Sequence, residues 1–141
     1  MIINDDEVSS YIFARLSTIS GFAKKIVNCA TGEIALDYLR KHITRTSRLP
    51  EVIFLDLHLR ERGGWGFIES FEALDPVIKK NTYLVILTMT ALEDEELKAA
   101  RFSSVKKILV KPITVDNLSS INEVLNSRLV KDRTLFNSIL P

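Results

Sequence analysis

Val52-Ile53-Phe54-Leu55-Asp56 is an unbroken apolar run that stops on a carboxylate. β-Branched and aromatic residues favour extended backbone. A run of this length bounded by polar residues reads as a strand buried on both faces. Pro50 and Glu51 open it. Three other runs have the same form. Met1-Ile2-Ile3 leads into Asp5-Asp6, Leu84-Val85-Ile86-Leu87 into Thr88, and Ile108-Leu109-Val110 into Lys111-Pro112. In an open parallel sheet, ligands bind just beyond the carboxyl ends of the strands. As neighbouring parallel strands, these runs deliver three carboxylates, a hydroxyl and an ammonium to one cleft.

Outward from these runs, strand and helix patterns alternate. Val8, Ile12, Leu16 and Ile19 have the spacing of a helix with one apolar stripe, and Gly21 is placed to end it. Lys25 to Cys29 is a short second strand. Thr31 is an N-cap with Glu33 in the first turn, and Ile34, Ala35, Leu36 and Leu39 form the inner face of the next helix. A basic stretch, Arg40-Lys41 to Arg48, is expected as a solvated loop before the third strand. After a Gly63-Gly64 turn, Phe67, Ile68, Phe71 and Leu74 mark a helix that stops at Asp75-Pro76. The fourth strand covers Tyr83 to Thr88. The acidic run Glu93 to Glu96 with Lys98 and Arg101 fits the dipole of the following helix and is sufficiently explained as a solvated face. Thr114 caps a last helix with Leu118, Ile121, Val124 or Leu125, and Leu129 facing inward. Five βα units in this order predict an α/β fold. The expected form is a flavodoxin-like, doubly wound five-stranded parallel sheet of order 2-1-3-4-5, with helices on both faces. The folded unit is expected to span 1–127. Residues 128–141 are expected to extend the last helix or form a tail, with no separate output domain.

Composition narrows the function. At 141 residues and 46% hydrophobic content, the chain is long enough for one well-buried core. No apolar stretch approaches the roughly 18–20 residues of a membrane span, and no secretory signal is visible, so a cytoplasmic location without membrane insertion is expected. A net charge of +1 gives no electrostatic case for nucleic acid. Cys29 is the only cysteine; this excludes an internal disulfide, and its place near a strand end reads as a small buried apolar residue.

Three aspartates in one partly dry cleft repel one another unless protons, a metal or cations join them. Their donors are all oxygen, so a hard cation fits, and Mg²⁺ leads. Lys111 adds a mobile ammonium and Thr88 a hydroxyl that can donate to an anion. This set suits phosphoryl transfer to an aspartate, where the protein mainly positions and neutralises. Singly, each piece has a structural reading: Asp-Asp as a helix cap, Thr as a strand-end residue, Lys-Pro as a turn. Their joint occurrence at successive strand ends carries the argument.

The chain resembles the receiver domains of response regulators, in particular the stand-alone, chemotaxis-type receivers of two-component signalling. The matching segments are Asn4-Asp5-Asp6-Glu7, Phe54-Leu55-Asp56-Leu57-His58-Leu59, Gly63-Gly64-Trp65, Leu87-Thr88-Met89-Thr90 and Val110-Lys111-Pro112. The resemblance implies that Asp56 is the phospho-acceptor, supported by Lys111 and Thr88. It implies Mg²⁺ bound by Asp6, Asp56 and the His58 backbone carbonyl, with Asp5 acting through water. It also implies a cis bond between Lys111 and Pro112. His58, Met89 and Thr90 occupy positions that tune phosphoryl lifetime and access. His58 is either a solvent-facing loop residue or a general base or extra metal ligand. The implied donor is a sensor histidine kinase or His phosphotransfer protein. The implied output is altered binding of a protein target through the surface formed by the helix after the fourth strand, the fifth strand and the last helix. Dimerisation through the last helices is compatible with the family. The chain is then not a conventional enzyme, because it catalyses only its own phosphorylation and dephosphorylation.

Three sites, four residues in all, depart from the usual pattern. Ile108 stands where many receivers have an aromatic residue, Leu59-Arg60 replaces a common Met-Pro, and Met89 replaces a small residue next to the site Thr. Trp65 reads as a partly exposed packing residue near the acceptor. The alternatives are a receiver-fold interaction module with degenerate switching, and a small Asp-nucleophile phosphatase. His58 stands where that phosphatase class needs a second Asp. A flavin-binding module of the same fold is weaker, since no Ser/Thr/Gly-rich phosphate loop follows the first strand.

Overall fold

Parallel pairing joins the chain into one five-stranded sheet of order β2-β1-β3-β4-β5, as expected. The computed structural model describes residues 1–90 and 92–139; at 133–137 and 139 only the backbone is described. The strands are β1 (Ile2–Ile3), β2 (Asn28–Cys29), β3 (Val52–Asp56), β4 (Tyr83–Thr88) and β5 (Val105–Val110). The helices are α1 (Glu7–Ile19), α2 (Gly32–Lys41), α3 (Gly63–Glu72), α4 (Pro76–Asn81), α5 (Glu93–Ala99) and α6 (Val115–Ile139).

Strand periodicity sorts side chains onto two cores. Ile3, Ile53, Leu55, Leu84 and Ile86 pack with Ala35, Leu36 and Leu39 of α2, Phe67, Ile68 and Phe71 of α3, and Ala99 of α5. The alternate residues Ile2, Phe54, Val85 and Leu87 pack with Phe13 of α1 and Leu118 and Ile121 of α6. Successive strand residues point to opposite faces, so one continuous apolar run supplies both cores. Phe54 anchors the second core, 4.7 Å from Phe13 and 5.9 Å from Phe22 between ring centroids.

Several local expectations hold. The Thr31 hydroxyl accepts from the Ile34 amide at 3.2 Å, Gly21 follows α1 with φ 68°, and Cys29 is buried. The Thr114 hydroxyl accepts from the Asn117 amide and donates to its side chain, opening α6.

Others change. Of the expected stripe on α1, Leu16 packs against the second core, but Val8, Ile12 and Ile19 are 59–73% exposed, and the helix buries Phe13 and Ser17 instead. Helical spacing identifies a stripe, while the neighbouring sheet decides which side is covered; here Phe13 reaches Phe54 and sets the rotation. Ile34 and Leu129 likewise face outward, while of Val124 or Leu125 it is Leu125 that packs against the second core. β2 keeps only two paired residues of the five expected, matching a β1 that is itself only two residues long. Gly63 and Gly64 begin α3 rather than form a turn before it. α4 was not anticipated: Asp75 accepts from the Val77 amide at 2.9 Å and Pro76 occupies the first helical position, so Asp-Pro starts a new helix as well as ending α3. Of the two expectations for the stretch after residue 127, α6 follows the extension, as one 25-residue helix to Ile139. Leu140 and Pro141 of that stretch lie outside the described residues.

Candidate functional site

Register brings the strand-end residues together. Ile3 lies beside Leu55, Asp56 beside Leu87, and Thr88 beside Val110. β3 ends one residue past β1 and β4 one residue past β3, while β4 and β5 end level, so Asp5, Asp56, Thr88 and Lys111 gather along one edge. Backbone bonds extend the pairing past the strands, from the Leu57 amide to the Leu87 carbonyl (2.9 Å) and from the Lys111 amide to the Thr88 carbonyl (2.8 Å).

Asp56 is buried at 6% exposure. Its Oδ2 accepts from Lys111 Nζ at 2.8 Å, and its Oδ1 accepts from the His58 amide at 2.9 Å. A carboxylate in this position needs both contacts, since an unpaired buried charge is costly. The Lys111–Pro112 bond is cis. Gly64 lets α3 approach closely: its amide donates to the Leu57 carbonyl at 2.9 Å, and a Cβ there would lie 2.7 Å from Leu57 Cα.

The acidic pair after β1 divides its work. Asp6 is the N-cap of α1, accepting from the Val8 amide (2.9 Å), the Ser9 amide (3.3 Å) and the Ser9 hydroxyl (3.1 Å). Hydrogen bonds from the Ser9 amide and hydroxyl and the Val8 amide, with the Lys111 charge adding, hold its carboxyl below the usual aspartate range. Asp5 Oδ2 accepts from the Arg60 amide at 3.0 Å, with the Arg60 Nε at 3.8 Å. Asn4, itself buried, receives the Asp6 amide at 2.9 Å and fixes the bend between strand and helix.

The donor set fits a hard cation chemically, being all oxygen and anionic. In the rotamers present, the carboxylates serve a cap, a loop amide and a lysine. Among the described residues no three His, Cys, Asp or Glu side chains form a ready metal cage.

Thr88 is fully buried. Its hydroxyl lies 3.0 Å from the Thr90 carbonyl, 3.0 Å from Glu95 Oε2 and 3.4 Å from His58 Nε2, and receives the Thr90 amide at 3.3 Å. His58 is half-exposed and lies 3.8 Å from the other Glu95 oxygen. It is thus a loop residue turned toward the site, between the two expectations for it. Met89 and Thr90 are exposed, and Leu59 is buried. Ile108 is partly buried against the first core.

Glu95 was missed. Its acidic neighbours Glu93, Asp94 and Glu96 are solvated as expected, but its own side chain is only 15% exposed. The signal available was its place one turn into the helix that follows the site Thr. Gly64 carried a clearer signal, a double Gly close behind the acceptor strand.

No family model matches the chain. A probable methanogenesis regulatory protein, FilR2 of Methanothrix harundinacea, is 28% identical over 122 residues, 84% of this chain and 74% of that protein. Among solved structures, a two-component response regulator from Cytophaga hutchinsonii superposes with a TM-score of 0.82 at 19% identity, covering 89% of this chain and 94% of the other. A response regulator receiver protein from Dyadobacter fermentans gives 0.76 at 21% identity over 88% and 94%. A two-component response regulator from Legionella pneumophila gives 0.73 at 23% identity over 89% and 95%. The chain has the receiver-domain fold of response regulators. Among the described residues no helix is long and apolar enough to cross a membrane.

Proposed function

We propose that the chain is a phospho-acceptor receiver of a two-component or phosphorelay system, with Asp56 as the nucleophile. The observation that carries this reading is the Asp56 carboxylate, buried at a strand end with one oxygen on the Lys111 ammonium at 2.8 Å and the other on a loop amide. In the transfer, an Asp56 oxygen attacks the phosphorus of a phosphohistidine as the P–N bond breaks, and the imidazole leaves with the electron pair. Lys111 stays beside the acceptor and neutralises charge gathering on the phosphoryl oxygens. Thr88 supplies a hydrogen-bond donor to one of them. Asp6, Asp56 and the His58 carbonyl would hold Mg²⁺ directly and Asp5 through water; the bound ion neutralises carboxylate and phosphoryl charge. Hydrolysis of the acyl phosphate by water resets the protein, with His58, Met89 and Thr90 lining the approach. The donor is a histidine kinase or His phosphotransfer protein. The modified state alters binding of a protein target on the α5–β5–α6 surface. The name of the FilR2 relative, a regulatory protein, agrees with a regulatory role.

The test is to incubate the chain with Mg²⁺ and acetyl phosphate or beryllofluoride and measure intact mass and amide NMR shifts. The expected result is a modified species that disappears in Asp56→Asn. Silence with Mg²⁺ present would assign the chain to the interaction modules. Sustained turnover of phosphate esters would assign it to the Asp-nucleophile phosphatases.

A further inference from the structure

We infer that Glu95 is a positioning residue that engages the Thr88 proton in the unmodified protein, so that loading of Asp56 must break the Thr88–Glu95 bond and thereby release the first turn of α5. This inference rests on the receiver reading above.

A threonine hydroxyl has one proton to donate. Two acceptors stand at 3.0 Å, the Thr90 carbonyl and Glu95 Oε2. The anionic acceptor makes the stronger bond, and burial of Thr88 beside a Glu95 side chain only 15% exposed strengthens it further. A phosphoryl oxygen on Asp56 would be a further claimant for the same proton, and it too is anionic. Thr88 can serve Glu95 or the phosphoryl group, but not both. A carboxylate held beside this hydroxyl also opposes the arrival of further negative charge.

The contact has a mechanical side. Leu92, at the N-cap position of α5, contributes no side-chain cap. Glu95 instead ties the first turn of α5 to the end of β4. Its second oxygen lies 3.8 Å from His58 Nε2, so one carboxylate touches residues from both the acceptor loop and the Thr88 strand. Farther along, Lys98 Nζ stands 4.6 Å from the centroid of the Trp65 ring, and Phe102 stacks on that ring at 6.3 Å. The only tryptophan of the chain therefore contacts α5 and the turn after it, and reports their position.

The experiment compares wild type, Glu95→Ala, Glu95→Gln, Thr88→Val and the Glu95→Ala/Thr88→Val pair. Amide hydrogen exchange of the unmodified proteins reads the tether. Loss of one net hydrogen bond corresponds to about fivefold faster exchange in the first turn of α5. Glu95→Ala and Thr88→Val should each show it, and the pair no more than either alone. Beryllofluoride titration with Mg²⁺, followed by Trp65 emission and NMR, reads the competition. Glu95→Ala should bind about fivefold more tightly than wild type. Glu95→Gln, which keeps a neutral acceptor and the side-chain shape, should fall between. In the Thr88→Val background the gain should vanish, which a merely structural role for Glu95 does not predict. Equal affinity of wild type and Glu95→Ala, the same gain without Thr88, or unchanged α5 exchange in Glu95→Ala would overturn the inference while leaving the receiver reading intact. Absence of any adduct in wild type would overturn the receiver reading and this inference with it.

Discussion

Thr82 and Thr88 bracket the same strand, one at each end of β4, and both are buried. Thr82 donates to a single backbone acceptor, the Pro50 carbonyl, at 3.0 Å. Thr88 stands among a carbonyl, a carboxylate and an imidazole. The edges around them differ in the same way. At the amino edge, Glu72 at the end of α3 accepts from the Ser103 hydroxyl and the Ser104 amide, and its backbone carbonyl accepts from Lys79 at 2.7 Å. Those contacts join each group to fixed neighbours. At the carboxyl edge, hydroxyl and carboxylates have partners they can exchange. One sheet thus has a fastened end and a labile end. A buried polar group with one partner serves stability, whereas one with several can change state at small cost.

The most severe break in this contrast is Gly64→Ala. Its Cβ would press on the Asp56–Leu57 backbone, with the nearest atom at 2.7 Å and part of the backbone rather than a flexible side chain. A loss of about 3 kcal/mol is expected, measured by urea unfolding, together with weakened beryllofluoride binding as the acceptor loop shifts.

Next is Thr82→Val, which strips the Pro50 carbonyl of its buried donor. The expected cost is about 2 kcal/mol with beryllofluoride affinity unchanged. Thr88→Val should invert that result, with a stability loss under about 1 kcal/mol and a beryllofluoride affinity down about tenfold, because its former partners can turn to water or to one another. A larger stability loss in Thr88→Val than in Thr82→Val would erase the distinction between the two edges.

Glu72 gives the smallest effect and a pH signature. Burial pushes its carboxyl up, but the bonds from Ser104 and Ser103 together outweigh that and hold it below the ordinary glutamate range. A depressed carboxyl binds its proton later in the folded than in the unfolded state. Its contribution is therefore complete above the ordinary glutamate pKa and lost as pH falls through the folded value. Glu72→Gln should cost about 0.5 kcal/mol near neutrality, since solvent screens the group, and flatten the acid limb of the stability curve measured by thermal unfolding.

The carboxyl edge was legible because its residues end long apolar runs, and burial leaves an Asp or Thr in such a place conspicuous. Strand order followed from the alternation of elements. Helix rotation was less legible: Val8, Ile12, Leu16 and Ile19 form as good a stripe as any, yet only Leu16 of them packs inward and the buried residues are Phe13 and Ser17. Glu95 was hidden by its neighbours, since four consecutive acids at a helix start look like a solvated run and only tertiary placement singles out one. α4 was hidden because Asp-Pro is read more readily as a stop than as a cap followed by a new first turn.

The brevity of β1 has a thermodynamic corollary. Two residues of ladder, with the Met1 carbonyl receiving the Phe54 amide and the Asn4 amide reaching the Cys29 carbonyl, hold the middle of the sheet just before Asp5 and Asp6. Any ligand that binds these acids jointly with Asp56 also clamps the start of the chain to β3. By linkage, saturation should suppress local opening of that first segment more than of any other, and the melting temperature should climb with the logarithm of ligand concentration.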